Sequence, residues 1–589
     1  MIQPNLEGAL QRLRDTKVSR TVWIDALCIN QSDLDEKRIQ ISMMPLIYGA
    51  SAQTNIWLGE LRNIDIYEAM EFICDIVNQW DQKLDATYHQ VGGEYVYKKR
   101  TPLPSIEQIL RERSRYRVAK FFSAQWFCRR WVIQEVVHSP SAVVLCSDFS
   151  IAWPWLGLAA AIVRMSPEFK SSEVGISNAY LIYRLSRHGN IKPADLTFLQ
   201  LLRLAAGFET SESRDAVYAL LGIRTKDNPE TAPILEADYS VSLIDVHRRI
   251  LDKLTDPPHP LGFLSSANHK PHRILKAMSQ FPWGYLETDT SSESSESSLP
   301  SWLPQWNDLS AAAILTPWSV DEYFEPTKGL EAPDKPLIHG DALIAKGIEL
   351  SIVSFRSEIV SEHFKTVLGQ ILNGASITAT ALMHHLPLLS KTFTAGRNQY
   401  GGIAVDGDKI LSHFAAWFAM FLESKHWPSA QDKQLLRPSI DTLKEGGDPD
   451  TFLTIARQVC SNRPLFVTAS GHLGLGPSDT AAGDRLCILA GHKMPVLLRP
   501  KGEKYTFVGD CYVDDVMRGE AVVALREGRR HLGPFGQISN IRGIENFLAA
   551  EEEGARLAGE DLELLVQTTE ALVRERYGGA LRETGFEIV

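Results

Sequence analysis

The sequence predicts an α/β protein. Its N-terminal part is built on a parallel sheet, a mainly helical region follows, and a small β-containing region lies near the C-terminus. Three observations carry this. Residues 21–60 read as strand, amphipathic helix and strand in succession, with polar residues gathered where the first strand stops. Residues 196–222 and 241–255 carry helical patterns. Residues 464–525 carry short β-like runs broken by glycine, which predict a small antiparallel sheet.

The elements follow in chain order. Leu6, Leu10 and Leu13 sit at helical spacing. Thr21 to Ile24 reads as a short buried strand. Asp33 with Glu36 three residues later reads as a capping box opening a helix. Ile39, Met43, Leu46, Ile47 and Ala50 fall on one face of that helix, which predicts its core side. Pro45 inside it predicts a kink, since an interior proline costs about 3 kcal/mol. Asn55 to Leu58 is the next strand. The basic run over residues 111–120 reads as a solvated helix face. Gln125 to His138 reads as a helix, Ala142 to Cys146 as a strand, Trp153 to Met165 as a helix and Glu236 to Ser240 as a polar loop. Residues 288–299 are a serine/glutamate tract that cannot bury a core and predict a linker or exposed loop. Mixed helices run to about residue 460, and residues 544–577 read as a charge-rich amphipathic helix. No internal repeat is present.

Composition bounds the function. With 589 residues, two to four domains are expected. A hydrophobic share of 44% and a charged share of 23% are those of a globular protein. The net charge of −11 lacks the basic stripe of a nucleic-acid surface, so no nucleic-acid partner is expected. The seven cysteines are scattered and form no C-x-x-C pair, so buried free thiols in a reducing compartment are expected. The N-terminus has no apolar signal region, and the run Phe414 to Leu422 is half the length that spans a bilayer. A soluble, intracellular, cytoplasmic protein without a membrane span is the expectation.

Several blocks, taken in order, resemble the fungal heterokaryon incompatibility (HET) domain. They are Trp23-Ile-Asp-Ala-Leu-Cys-Ile-Asn-Gln31; Ile47-Tyr48-Gly-Ala50 with Ile56-Trp57-Leu58-Gly59; Trp126-Phe-Cys-Arg-Arg-Trp-Val-Ile-Gln-Glu135; and Arg214-Asp-Ala-Val-Tyr-Ala-Leu-Leu-Gly222 with Ala237-Asp-Tyr-Ser240. The C-terminal region, with Gly474-Leu-Gly-Pro477, Gly483-Asp484, Pro495-Val-Leu-Leu-Arg499, Val508-Gly-Asp-Cys-Tyr-Val513 and Met517-Arg-Gly-Glu520, is similar to that of long HET proteins. One departure matters. HET domains open with a strand upstream of the Asn5-Leu6, Ala9-Leu10 helix, and this chain starts at that helix. The expectation is an N-terminally truncated gene model or a degenerate paralogue.

The order of elements also resembles a Toll/interleukin-1 receptor (TIR) domain, so the resemblance implies a TIR/flavodoxin-like parallel sheet lacking its first strand. The implied organisation is a HET domain over 1–160, a mainly helical region over 161–285, a linker or loop over 286–300, a mixed helical region over 301–460, a small antiparallel β region over 461–525 and a helical segment over 526–589. The class implies non-self recognition and programmed cell death in fungi, with self-association or another incompatibility protein as partner. Some TIR domains hydrolyse NAD with a glutamate in a Trp-Cys-x-x-Glu-like motif, and Trp131-Val-Ile-Gln-Glu135 is the nearest match. An inactive truncated paralogue is the alternative.

Phe127, Trp131 and Glu135 at i, i+4 spacing would share one helix face. Glu135 is the catalytic candidate, with NAD as candidate substrate. A carboxylate there stabilises oxocarbenium character on the ribose as nicotinamide leaves. The other reading pairs Glu135 with His138 or an arginine at the edge of the core. Asp25, Asn30 and Trp131 are the ligand-binding candidates. Against them stand turn chemistry for Asp25 and Asn30 and simple core packing for Trp23, Trp57, Trp126 and Trp131. Cys28 reads as a buried thiol. Gly474-Leu-Gly476 is too short for a phosphate loop, and no H-E-x-x-H, G-x-S-x-G or kinase signature appears. No metal site and no bound cofactor are expected.

Overall fold

The computed structural model describes residues 4–15, 17–61, 66–90, 97, 105–106, 114–165, 174–187, 192–228, 234–254, 259–267, 299–306, 324–360, 364–374, 379–398, 402–405, 409–423, 430–528 and 583–589. The expected serine/glutamate linker, up to residue 298, and the expected helix over 544–577 lie outside these. The chain divides into two units, Met1–Leu254 with Trp306–Leu309 and Thr255–Gln305 with Ser310–Val589.

In the first unit, the strands β1 (Thr54–Trp57), β2 (Tyr88–Gln90), β3 (Ala142–Cys146) and β4 (Phe149–Ala152) form one sheet in the order β1-β3-β4-β2. β1 runs parallel to β3, with Thr54 opposite Ala142 and Trp57 opposite Leu145. β4 is antiparallel to both β3 and β2. The expected parallel sheet is thus met in part, because the described strands of this sheet combine one parallel pair with two antiparallel ones. The reason is connection length. Only Ser147 and Asp148 separate β3 from β4, and so short a turn can return the chain only antiparallel. Ser147 takes the left-handed conformation this turn needs, with φ of 46°. β1 reaches β3 by a long crossover that includes the buried helix Ile66–Trp80.

Residues 21–24 are not a strand. Among the described residues they have no ladder partner, and they lead through an extended Ile24 into one helical turn, Asp25–Cys28. Four apolar residues carry no strand stability of their own; the ladder supplies it. The helix Leu34–Ala50 forms as expected, with the Asp33 side chain accepting from the amides of Asp35 and Glu36. Its orientation corrects the expected core face. Ile41 and Met44 are buried, while Ile39, Met43 and Leu46 point to solvent, Leu46 with 70% of its surface exposed. The buried side packs on the helix Val132–Val137. The Pro45 ring lies against Gly222, where any Cβ would approach within 2.5 Å.

The core of this unit is aromatic. Phe121, Phe122, Phe127, Trp126 and Trp153 stack edge to face or tilted and are almost completely buried. The paired helices Trp153–Met165 and Val174–Leu185 approach closely because Gly157 leaves room for the Tyr183 ring.

The second unit carries β5 (Leu337–His339), β6 (Ala342–Val360), β7 (Arg463–Thr468), β8 (Leu473–Leu475), β9 (Arg485–Leu489), β10 (Pro495–Lys501), β11 (Lys504–Asp510) and β12 (Glu583–Ile588). β6, β9, β10, β11 and β12 are paired in sequence, and β12 returns to β6, which closes a barrel. The far half of β6 carries β7 and β8 instead. Register shifts in β6 between Glu349 and Ser351 and between Val353 and Phe355 bend it between these partners. The β region is therefore larger than the expected small sheet. It recruits residues 337–360 from the stretch read as mixed helical and closes on itself, which removes free edges. The helices Ile410–Leu422 and Pro449–Cys460 pack Phe414, Trp417, Phe418, Phe421 and Phe452 into a second core. Among the described residues no helix is long and apolar enough to cross a membrane.

Candidate functional site

The stretch expected as one helix over 125–138 breaks in two, into a 3-10 turn Gln125–Cys128 and the helix Val132–Val137. The break has a backbone cause. The Glu209 amide donates to the Cys128 carbonyl, and the Arg130 amide donates to the Glu209 carbonyl, so residues 128–130 are drawn into an extended bridge. Phe127, Trp131 and Glu135 therefore do not share the face of a single helix, and their side chains serve different clusters.

Glu135 belongs to the first cluster. It is half-buried, and burial together with the nearby charge of Asp25 pushes its carboxyl above the usual range. Arg129 and a hydrogen bond from the Trp126 indole oppose that shift. Burial, with Glu135 and Asp25 adding, also pushes the Tyr48 phenol well up. Trp23 lies edge-on to Tyr48 at 5.7 Å between ring centroids. Asp25 and Glu135, far apart in sequence, thus share one partly solvent-accessible neighbourhood with Arg129, Tyr48, Trp23 and Trp126. His138 is not the partner of Glu135; its ring is held near Gly222, and burial pushes it down. Such a set can hold a cation or a hydroxylated ring between two carboxyl groups.

Asn30 is placed elsewhere. The Asn30 side chain accepts from the Ser32 amide, which is turn chemistry, and the Asn30 amide is held by Glu36. Asp25 also caps its own turn, its carboxylate accepting from the Ala26 amide at 2.7 Å. Cys28 is exposed, which corrects the expected buried thiol, because the turn Asp25–Cys28 points it outward.

Trp131 anchors the second cluster. Its Nε1 donates to Asp215 at 3.0 Å, and the Tyr239 hydroxyl donates to the other Asp215 oxygen at 2.6 Å. Burial pushes Asp215 up against these two bonds. Lys37 Nζ lies 4.1 Å from the Tyr239 ring centroid. Arg214 forks onto Glu212 and donates to the carbonyls of Tyr239 and Val241. In the sequence Asp215 stands only as part of the fourth block, and this polar hub is not legible from it. The signal was the carboxylate of Arg214-Asp215 falling in an otherwise apolar run.

Arg130 was missed as well. Its guanidinium is fully buried and donates to the carbonyls of Ala216, Ala205 and Trp306. Gln134 donates to the Ala219 carbonyl at 2.9 Å. Arg130, Trp131 and Gln134 therefore suture the third sequence block to the fourth. In the barrel, Asp510 accepts from Ser265 and lies 2.8 Å from His492 Nε2, all three buried, and Arg499 forks onto Asp484 and reaches Asp479. Among the described residues no cluster of three or more His, Cys, Asp or Glu side chains is arranged to hold a metal.

Residues 1–135 match the family model of the heterokaryon incompatibility protein (HET), and residues 433–532 match that of the Het-6 beta-barrel domain. The chain is 22% identical to "Heterokaryon incompatibility protein 6, OR allele" of Neurospora crassa over 597 aligned positions, covering 88% of this chain and 84% of that one. No solved structure matches. A HET match in the first unit and a Het-6 barrel match in the second thus stand in one chain that is similar along most of its length to a heterokaryon incompatibility protein.

Proposed function

We propose that the protein works in fungal non-self recognition, with growth arrest or cell death as its output. The observation that carries this is the pairing of a HET match at 1–135 with a Het-6 barrel match at 433–532, in a chain similar over 88% of its length to a relative named for heterokaryon incompatibility. The HET unit is the effector. The barrel unit recognises or regulates through self-association or a second incompatibility protein, and the setting is the cytoplasm.

A second reading has its own observation, the convergence of Asp25 and Glu135 with Arg129 and three aromatic rings. It makes this a TIR-like site that hydrolyses NAD. As the bond between nicotinamide and ribose breaks, positive charge grows on the ribose carbon and ring oxygen, and a carboxylate within the site stabilises it. Glu135 takes that role or holds the ribose hydroxyls, with Asp25 as the second carboxylate. The parallel pairing of β1 with β3 is in keeping with a TIR-like half-sheet.

Induced expression of wild type and Glu135→Ala in a fungal host, with viability and cellular NAD followed together, tests both. Arrest with NAD loss in the wild type and neither in Glu135→Ala is the result expected of the enzyme. Equal toxicity without NAD loss keeps the recognition reading and removes the enzymatic one.

A further inference from the structure

We propose that Trp306 is a plug in the N-terminal unit whose seating is released by acid, with His247 as the group that takes the proton. The proposal stands apart from the enzymatic reading. The chain leaves this unit after Leu254, and Trp306 opens a short return to it. The indole is buried, with its ring centroid 4.5 Å from the imidazole of His247 on the helix Leu243–Lys253. Its carbonyl accepts from the Arg130 guanidinium. Two side chains thus seat the residue, one on its backbone and one on its ring.

The burial of His247 favours a neutral imidazole. His247 Nδ1 and Trp306 Nε1 are both buried without a hydrogen-bond partner among the described residues. A second proton on the imidazole makes both ring nitrogens donors and buries a charge where Nδ1 finds no acceptor. Burial alone accordingly pushes His247 down to about 3. The surrounding charges offer no relief. Arg130, itself cationic, donates to the carbonyls of Ala205, Ala216 and Trp306. Asp215, which acts on Arg130, already accepts from Trp131 and Tyr239. On the same helix Arg248 pairs with Asp245, and Arg249 pairs with Asp238.

The seated state therefore excludes the proton, while an opened His247 takes it at the ordinary pKa of about 6.5. The stability of the plug is fully present above that pH and is lost progressively as pH falls from about 6.5 toward the depressed value. Between pH 7.5 and 5.5 the opening equilibrium rises about tenfold. The two unpaired polar atoms make opening cheaper still, since each gains a hydrogen bond to water on release.

Hydrogen exchange on the full chain, corrected for intrinsic chemical rates, tests this at about pH 7.5 and 5.5. The peptide containing Trp306 is expected to lose protection about tenfold at the lower pH, while the peptide of β9 does not. His247→Phe is expected to abolish the difference. Equal protection of the wild-type peptide at both pH values overturns the proposal, as does a pH response retained in His247→Phe. Should that variant not fold, the His247 ring protons in the wild type decide. A ring that titrates in the ordinary histidine range while Trp306 stays protected overturns it, and a ring that remains neutral until Trp306 is released supports it.

Discussion

Residues 17–50 of the HET unit and the strands of the barrel are equally apolar by sequence and opposite in fate. In the first, Val18, Val22, Leu27, Leu34, Ile39, Met43 and Leu46 all face solvent. In the second, Leu465, Phe466, Leu486, Ile488, Leu489 and Leu497 are completely buried. The difference lies in neighbours. Each strand of the closed ring has a partner on both sides, whereas among the described residues β1 pairs with β3 alone and residues 17–24 pair with no strand. An apolar pattern records what a segment can bury, and the elements beside it decide what it does bury.

Four substitutions test this contrast, read by urea denaturation of the full chain with unfolding of each unit followed separately. His492→Ala has the largest expected effect. It leaves the buried Asp510 carboxylate without its imidazole partner and should cost about 4 kcal/mol, seen in the barrel transition. Ile488→Ala opens a cavity where β9 meets β6 and β10 and should cost about 3 kcal/mol in the same transition. Tyr239→Phe removes one donor from Asp215 and should cost about 1 kcal/mol in the HET-unit transition. Leu46→Ala trims a side chain that touches mainly water and should change stability by less than about 0.5 kcal/mol. A large loss for Leu46→Ala would show that this stripe is covered in solution and would erase the contrast.

The sequence carried the local elements better than their partnerships. Asp33 capping the helix Leu34–Ala50, the strands at 54–57 and 142–146, and the aromatic core around Trp126 were legible, because caps and hydrophobic runs are local signals. The orientation of that helix was not. Its apolar residues populate two faces, and only the docking of Val132–Val137 selects Ile41 and Met44. The barrel was underread for a related reason. Its ring is completed by Ala342–Val360 and Glu583–Ile588, which lie far from the run of strands at 463–510.

At the candidate site, Asp25 and Glu135 were both legible as residues, and their convergence was not. The sequence argument rested on a single helix over 125–138, and the bridge from Cys128 and Arg130 to Glu209 divides it. That division sends Trp131 to Asp215 and leaves Glu135 with Arg129 and Asp25. Arg130 was hidden because an arginine in a charged dipeptide reads as surface, and three backbone carbonyls from distant segments are what bury it.

The most direct test of the central claim is survival of fungal cells on induced expression of the intact chain. Growth arrest of cells that hold the full-length, folded protein is the predicted result. Unimpaired growth of such cells, at the same protein level and in the presence of genetically distinct fusion partners, would contradict it.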